Sequence, residues 1–374
     1  MNPIRVAVVG AGHLGKIHTR ILSSLADFQL VGVVDPVETQ RHSVAAEFHT
    51  TPFASVAEID DLVDAVVVAA PTSHHRRVAG DLLRRGKHVF VEKPITNTAR
   101  EASELVSLAS ERRLTLQVGH VERFNPAFRA ALDELREPKF ITAVRRGGYT
   151  GRSMDIGVVM DLMIHDLDLV LSITQSAVRS VEALGVSLFG EHEDIANARI
   201  HFENGCVATL DACRASPTAA RAMQVWTPRG FVSLDFAQRT ASMMRPSEEL
   251  AAGEIDTNRF TPAEKQTFRE QLFTTHLPTE TFPVEPADAI TAELRDFAES
   301  ITTGKVPEVS GAAGRDAVTV AEIILERIAA HRWNGSMSGP VGPRFVDAPT
   351  HPAVLSGPHW NRKGHWGNDL REAG

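Results

Sequence analysis

A chain of 374 residues with 43% hydrophobic content is long enough to bury two cores. Its formal net charge of -8, with arginines scattered rather than clustered, excludes the basic footprint of a nucleic-acid binder. No apolar run reaches membrane-spanning length and no signal-peptide pattern opens the chain. The only cysteines, Cys206 and Cys213, suit a reducing cytoplasm better than a disulfide. The expectation is a cytoplasmic protein of two domains, with neither nucleic acid nor membrane as partner.

Residues 1–122 alternate short β-branched runs with helical stretches. IRVAVVG (4–10), LVGVVD (30–35), AVVVAA (65–70), HVFVE (88–92) and LTLQVG (114–119) are continuous apolar runs. That is the pattern of strands covered on both faces. Amphipathic segments separate them, one striped with Leu14, Ile17, Ile21 and Leu25, another with Leu105, Val106 and Ala109. The alternation predicts an α/β domain with a parallel, doubly wound sheet.

The pattern changes in the second segment, 123–332. Asn125-Pro126 reads as an N-cap followed by proline at the first helical position. A strand (KFITAVRR), a glycine-rich loop and a helix around VVMDLMIHDLDLVLS follow. From 180 to about 244 the chain reads as an antiparallel meander, with turns at Asn204-Gly205 and Thr227-Pro228-Arg229-Gly230. Residues 245–285 are polar, charged and aperiodic and read as an excursion or a flexible loop. Two helices follow, striped by Ile290, Leu294, Phe297 and Ile301 and by Val318, Ile324, Leu325 and Ile328. The tail, 333–374, is rich in Gly, Pro and Trp and lacks periodicity, so an arm or disorder is expected.

The first strand runs into Gly10-Ala11-Gly12-His13-Leu14-Gly15 and then a helix. The first glycine permits the tight turn, the second admits a pyrophosphate, and the third lets helix and strand pack closely. Asp35 closes the second strand 20 residues after Gly15, where a carboxylate receives ribose hydroxyls. A carboxylate repels a 2′-phosphate, and Pro36, Val37 and Glu38 offer no arginine to hold one. NAD is therefore expected rather than NADP. The fourth strand ends in Ala70-Pro71-Thr72-Ser73-His74-His75, and the next in Glu92-Lys93-Pro94, both at the carboxyl edge where ligands collect.

In the second segment, Asp161 and His165 stand four residues apart and so share a helix face, with Asp168 one turn further. Three readings compete: a catalytic histidine with an acidic partner, two metal ligands, or a solvated polar face. No further His or Cys cluster completes a metal site, so no metal is expected. Arg123, Asn125 and Arg152 are candidates for contacts to a phosphate or sugar. Interdomain salt bridges are the alternative use of such residues.

In this order, GAGHLG, APTSHH, VEKP and the Asp161–His165 pair make residues 4–330 resemble the glucose–fructose oxidoreductase / inositol dehydrogenase family. The resemblance implies an N-terminal Rossmann domain and a C-terminal α/β domain with a large open antiparallel sheet, through which homodimers or homotetramers form. It implies cofactor contacts from Gly10, Gly12, His13, Leu14, Asp35, Pro71, Thr72, His75, Glu92 and Lys93. It also implies that Lys93 stands beside the reacting hydroxyl, that His165 is the general base or acid, and that Asp161 is its orienting, substrate-binding partner. Pro94 resembles a family proline preceded by a cis bond.

Met163 stands where many members have glycine (Asp-x-Gly-x-His). VVMDLMIHDLDLV, VGHVERFNPAF and EDIANARIHFENGCVA resemble one subgroup, the nucleotide-sugar 3-dehydrogenases. These make 3-keto sugar nucleotides such as that of UDP-N-acetylglucosamine. An aminotransferase then converts the product to a 3-amino sugar for lipid A or surface polysaccharide. The alternatives are an inositol or simple sugar dehydrogenase of the same family, or a dinucleotide-sensing regulatory protein without catalysis.

Overall fold

The computed structural model describes residues 2–151, 155–333 and 337–339. The tail expected beyond Trp333 lies, apart from residues 337–339, outside the described residues.

The first sheet is built from β1 (Ile4–Val9), β2 (Phe28–Val34), β3 (Thr51–Phe53), β4 (Ala65–Val68), β5 (His88–Glu92) and β6 (Leu116–Gly119). Helices α1 (His13–Leu22), α2 (Glu38–Glu47), α3 (Thr72–Arg84) and α4 (Ala99–Arg112) connect most of these strands. The order is β3-β2-β1-β4-β5-β6 and every pairing is parallel. The order reverses at β1, so the crevice outside β1 and β4 is the topological switch point where ligands bind in such sheets. Val9 pairs with Val34 and Val68, Val68 with Val91, and Glu92 with Gly119. This register brings Gly10, Asp35, Ala69, Lys93 and His120 out along one edge. The short β3 went unread because its three residues carry proline and no periodic pattern.

Beyond the first sheet come α5 (Pro126–Ala131), β7 (Phe140–Arg146), α6 (Ile164–Thr174), β8 (Val178–Val186), β9 (Ile195–Phe202), β10 (Val207–Cys213), β11 (Ala220–Thr227), β12 (Gly230–Asp235) and β13 (Thr240–Met244). The second sheet has the order β14-β13-β12-β11-β7-β10-β9-β8, where β14 is Thr279–Thr281. It is antiparallel except for β7 and β10. The expected continuous meander is thus interrupted. β7, earlier in the chain, inserts between β10 and β11, and Asn204-Gly205 and Pro228-Arg229 make the flanking hairpins. Cys206 and Cys213 are both free and buried.

Residues 245–285 hold more structure than their polarity announces. A short helix, α7 (Glu248–Ala251), precedes α8 (Pro262–Gln271), which starts on a capping box between Thr261 and Glu264 with proline in its first turn, and β14 extends the second sheet.

Two long helices, α9 (Ala289–Thr303) and α10 (Gly311–Ala330), return to the first sheet. Leu294, Phe297 and Ala298 of α9 join the core formed by Val6, Val8 and Phe90, with the rings of Phe90 and Phe297 5.9 Å apart. Each such buried ring contributes roughly 1.5–3 kcal/mol. The opposite face of the first sheet shares one continuous core with the second sheet, running from Val91 through Met163 to Ile200. Within that shared core α6 packs against α10 and β7.

Candidate active site

The loop after β1 is shaped by close approach. Gly10 has φ +104°, and a Cβ there would lie 2.6 Å from the Ala69 carbonyl oxygen. A Cβ on Gly15 would lie 1.8 Å from the Gly10 carbonyl oxygen, whereas one on Gly12 meets nothing within 4 Å. The loop is packed where it must turn and open where a diphosphate would approach. Helix α1 has no capping side chain and no acidic residue in its first turn, and Gly12, His13 and Leu14 are exposed. Its first N–H groups and positive dipole end are left for an anion. Asp35 is buried, its Oδ2 accepting from the Ala11 amide and its Oδ1 from the Val37 amide, both at 2.8 Å. Each oxygen keeps a lone pair for a ribose hydroxyl. Pro71 and Thr72 form the uncapped start of α3 on the same edge. These residues fit a dinucleotide.

Two residues expected at the cofactor hold the scaffold together from within. His75 is buried, its ring nitrogens 2.9 Å from the Pro94 carbonyl oxygen and 2.8 Å from that of Ala70. It ties the turn after β4 to the turn after β5, and burial pushes its pKa down. Glu92 is also buried, with Oε1 2.7 Å from His18 Nε2 on α1 and Oε2 accepting the Lys93 amide. Burial works against its charge, but His18 and Lys93 outweigh it and hold the carboxyl below its usual range.

Lys93 follows a strand that is buried along most of its length, and its peptide bond to Pro94 is cis. Its Nζ donates to the Asp161 carbonyl oxygen at 2.6 Å and to Asp161 Oδ1 at 3.1 Å, joining the first sheet's edge to the second domain. Asp161 lies in a π-helical turn, Val159–Met163, that leads into α6. Buried Glu193 caps its start by accepting the Val159 amide at 3.0 Å. The expected Asp161–His165 pairing assumed a regular helix. The wider i→i+5 turn alters that spacing, and Asp161 meets Lys93 while no hydrogen bond joins it to His165. His165 is half-buried; its Nδ1 is enclosed without a partner and its Nε2 is not enclosed. Burial lowers its pKa well below the ordinary value, and Lys93, Arg145, His120 and Arg221 push it further. The imidazole is therefore neutral, with a lone pair to accept a proton. Among the described residues no group of three His, Cys, Asp or Glu side chains could hold a metal ion.

Residues 4–120 match a family model described as "Oxidoreductase family, NAD-binding Rossmann fold", and residues 127–233 match the GFO/IDH/MocA C-terminal domain. The UDP-N-acetylglucosamine 3-dehydrogenase of Acidithiobacillus ferrooxidans is 33% identical over 326 residues, 86% of this chain and 96% of the relative. The chain belongs to the GFO/IDH/MocA oxidoreductase family. A solved structure of the Acidithiobacillus enzyme superposes with a TM-score of 0.76 at 32% identity, covering 88% of this chain and 98% of that one. The scyllo-inositol 2-dehydrogenase of Bacillus subtilis is 29% identical over 58% of this chain and 69% of its own length. As a family member, the protein is an NAD(P)-dependent oxidoreductase acting on CH–OH groups.

The remaining expected residues of this GFO/IDH/MocA protein are Arg123, Asn125 and Arg152. Arg123 forks onto Asp168, with Nε to Oδ2 at 2.7 Å and Nη2 to Oδ1 at 3.0 Å. Asn125 caps α5 through the Ala127 amide and donates to Glu122 and to the Phe236 carbonyl oxygen. Both are engaged by protein partners. Arg152 lies outside the described residues. Arg145 is bidentate to Asp166 and also reaches Glu122. Burial opposes its charge, yet the two carboxylates raise its pKa above the ordinary arginine value.

Two further residues escaped the sequence. Arg41 reaches the Pro36 carbonyl oxygen at 3.1 Å, so an arginine does stand near Asp35, engaged with the main chain. His120, buried at the end of β6, has no partner on either ring nitrogen. Only the register of β5 against β6 could have marked it.

Proposed function

We propose that this protein oxidises UDP-N-acetylglucosamine at carbon 3 of the sugar, with NAD as acceptor. The observation that carries the site is the Lys93–Asp161 contact between the dinucleotide edge and the helix bearing His165. The substrate class follows from the Acidithiobacillus relative, which this chain matches over nearly its whole length.

The nicotinamide, when bound, accepts a hydride from the carbinol carbon. The chain's own residues handle the charge left behind. Lys93, a compact ammonium, faces the oxygen on which negative charge develops and stabilises it electrostatically. His165 Nε2 takes the hydroxyl proton; its depressed pKa keeps it neutral and ready at neutral pH. Asp161 holds Lys93 in place by accepting from its Nζ. NAD is favoured over NADP because the Asp35 carboxylate would repel a 2′-phosphate brought to it, while Arg41 is engaged with main-chain carbonyls.

The product is a 3-keto nucleotide sugar, which an aminotransferase would convert to a 3-amino sugar for lipid A or surface polysaccharide. This places the reaction in the cytoplasm, and the half-exposed face of the second sheet serves a homodimer or homotetramer. Incubation with NAD and a panel of UDP-sugars, free sugars and inositols, followed by NADH absorbance, tests the reading. UDP-N-acetylglucosamine should be the best substrate. Faster turnover of an inositol would move the protein to the reaction named for its Bacillus relative. Tight NAD binding without turnover of any compound would mark a sensor.

A further inference from the structure

Two imidazoles stand at the edge of the first sheet. His120 leaves β6 beside Lys93 leaving β5, because Glu92 and Gly119 are paired. It is 1% exposed, and both its ring nitrogens are enclosed without a hydrogen-bond partner. Its ring stands at 88° to that of His165, with centroids 6.3 Å apart. His165 has the matching need. For Nε2 to keep a lone pair toward the substrate, the proton must sit on Nδ1, and that N–H requires an acceptor. Nδ1 is enclosed and has none.

The carboxylates that commonly fill this role are engaged elsewhere. Asp161 accepts from Lys93, Asp168 from Arg123, and Asp166 from Arg145. His120 remains. No direct hydrogen bond joins the two rings, and a single water with two to four polar partners is the group that can join two nitrogens beyond direct reach. An enclosed polar group left without a partner is destabilising, and one such bridge partners two of the three enclosed nitrogens, one on each ring.

We propose that His120 is the positioning partner of His165: one bridging water accepts the Nδ1–H hydrogen bond and donates to a His120 ring nitrogen, which holds Nε2 in its proton-accepting form. This rests on the reading of His165 as the general base. In the oxidation, the substrate O–H bond breaks and its proton goes to Nε2. The C–H electron pair leaves as hydride to the nicotinamide, and the carbonyl forms. His120 keeps its own proton count throughout; it supports the imidazolium and releases nothing. Burial, followed by the nearby Arg123 and Lys93 charges, keeps His120 below its ordinary pKa despite the opposing carboxylates of Asp168 and Glu92. It is therefore neutral and retains an acceptor nitrogen.

The test combines 15N NMR of histidine-labelled protein without ligands with steady-state kinetics. The His165 signals are assigned by their loss in His165→Asn. In the wild type, His165 should be in the Nδ1–H tautomer. In His120→Leu the tautomers should mix, and kcat for oxidation should fall roughly ten- to a hundredfold with little change in KM. His120→Gln, which keeps a carbonyl acceptor, should recover most of both. A wild-type His165 found in the Nε2–H tautomer overturns the proposal even if the leucine variant does not fold. A His120→Leu protein with unchanged tautomer and kcat overturns it as well. If His165→Asn itself oxidises substrate normally, the reading of His165 as base has failed. If His165→Asn is inactive and His120→Leu is normal, only the role of His120 has failed.

Discussion

Two polar clusters share α6 and the π-helical turn before it, and they are built in opposite ways. In one, Arg145 reaches Asp166 and Glu122, Asn125 closes the remaining Glu122 oxygen, and Arg123 forks onto Asp168. In the other, Lys93 meets Asp161, but His165 and His120 between them hold three enclosed ring nitrogens without partners. The first cluster is closed, and its ion pairs tie residues 122–125 and β7 to α6. The second retains unused hydrogen-bonding capacity beside the cofactor edge. Residue type does not separate them; the difference lies in whether each donor has met its acceptor.

That contrast breaks down if the two clusters respond alike to substitution. Lys93→Ala and His165→Asn should each lower kcat roughly 100- to 10,000-fold, with thermal unfolding nearly unchanged and NAD still bound. Arg145→Met should do the reverse. It leaves Asp166 and Glu122 buried without their cation, costing about 3–5 kcal/mol in urea denaturation. A stable Arg145→Met protein would show that the closed cluster is not structural.

A smaller effect sharpens the cofactor side of the same edge. Asp35→Ser removes the carboxylate held by the Ala11 and Val37 amides. The ratio of NADP to NAD efficiency should rise about tenfold, equivalent to about 1.4 kcal/mol. An unchanged ratio in steady-state kinetics would mean that Asp35 does not face the ribose.

The smallest effects are in stability against pH, and they have two signs. Burial holds His75, His120 and His165 below their ordinary pKa. Below about pH 6.5 the unfolded chain binds protons that these folded imidazoles refuse, so stability present above that pH is lost on acidification. Glu293 acts oppositely, because burial and then the neighbouring Glu92, Asp168 and Asp296 raise its pKa well above the carboxyl range. Above about pH 4.3 the unfolded Glu293 ionises while the folded one stays protonated, which costs stability as pH rises. Glu293→Gln should therefore shift the urea midpoint upward, and more at pH 8 than at about pH 5. A shift independent of pH would contradict this account.

Much of the cofactor side was legible in the sequence because its signals are local. Gly10, Gly12 and Gly15 sit in consecutive turns, Asp35 ends a strand, and Lys93 follows an apolar run, so strand ends alone bring them to one edge. The second domain was less legible for physical reasons. Arg123 and Asn125 have the chemistry of substrate ligands, but their partners Asp168 and Glu122 emerge only on folding. Asp161 and His165 looked paired because a regular helix was assumed, and no residue type announces a π-helical turn. His120 was hidden because its place depends on strand register. The helix within 245–285 was readable after all, since Thr261-Pro262-Ala263-Glu264 spells a capping box.

The central claim is that hydride leaves carbon 3 of UDP-N-acetylglucosamine in a cleft shared by Lys93 and His165. It is tested most directly with substrate carrying deuterium at that carbon, incubated with NAD, and mass analysis of the recovered cofactor. The account predicts deuterium on the nicotinamide, a primary isotope effect in the wild type, and transfer nearly abolished in Lys93→Ala and His165→Asn. Reduced cofactor without deuterium, or undiminished transfer in both variants, would contradict it.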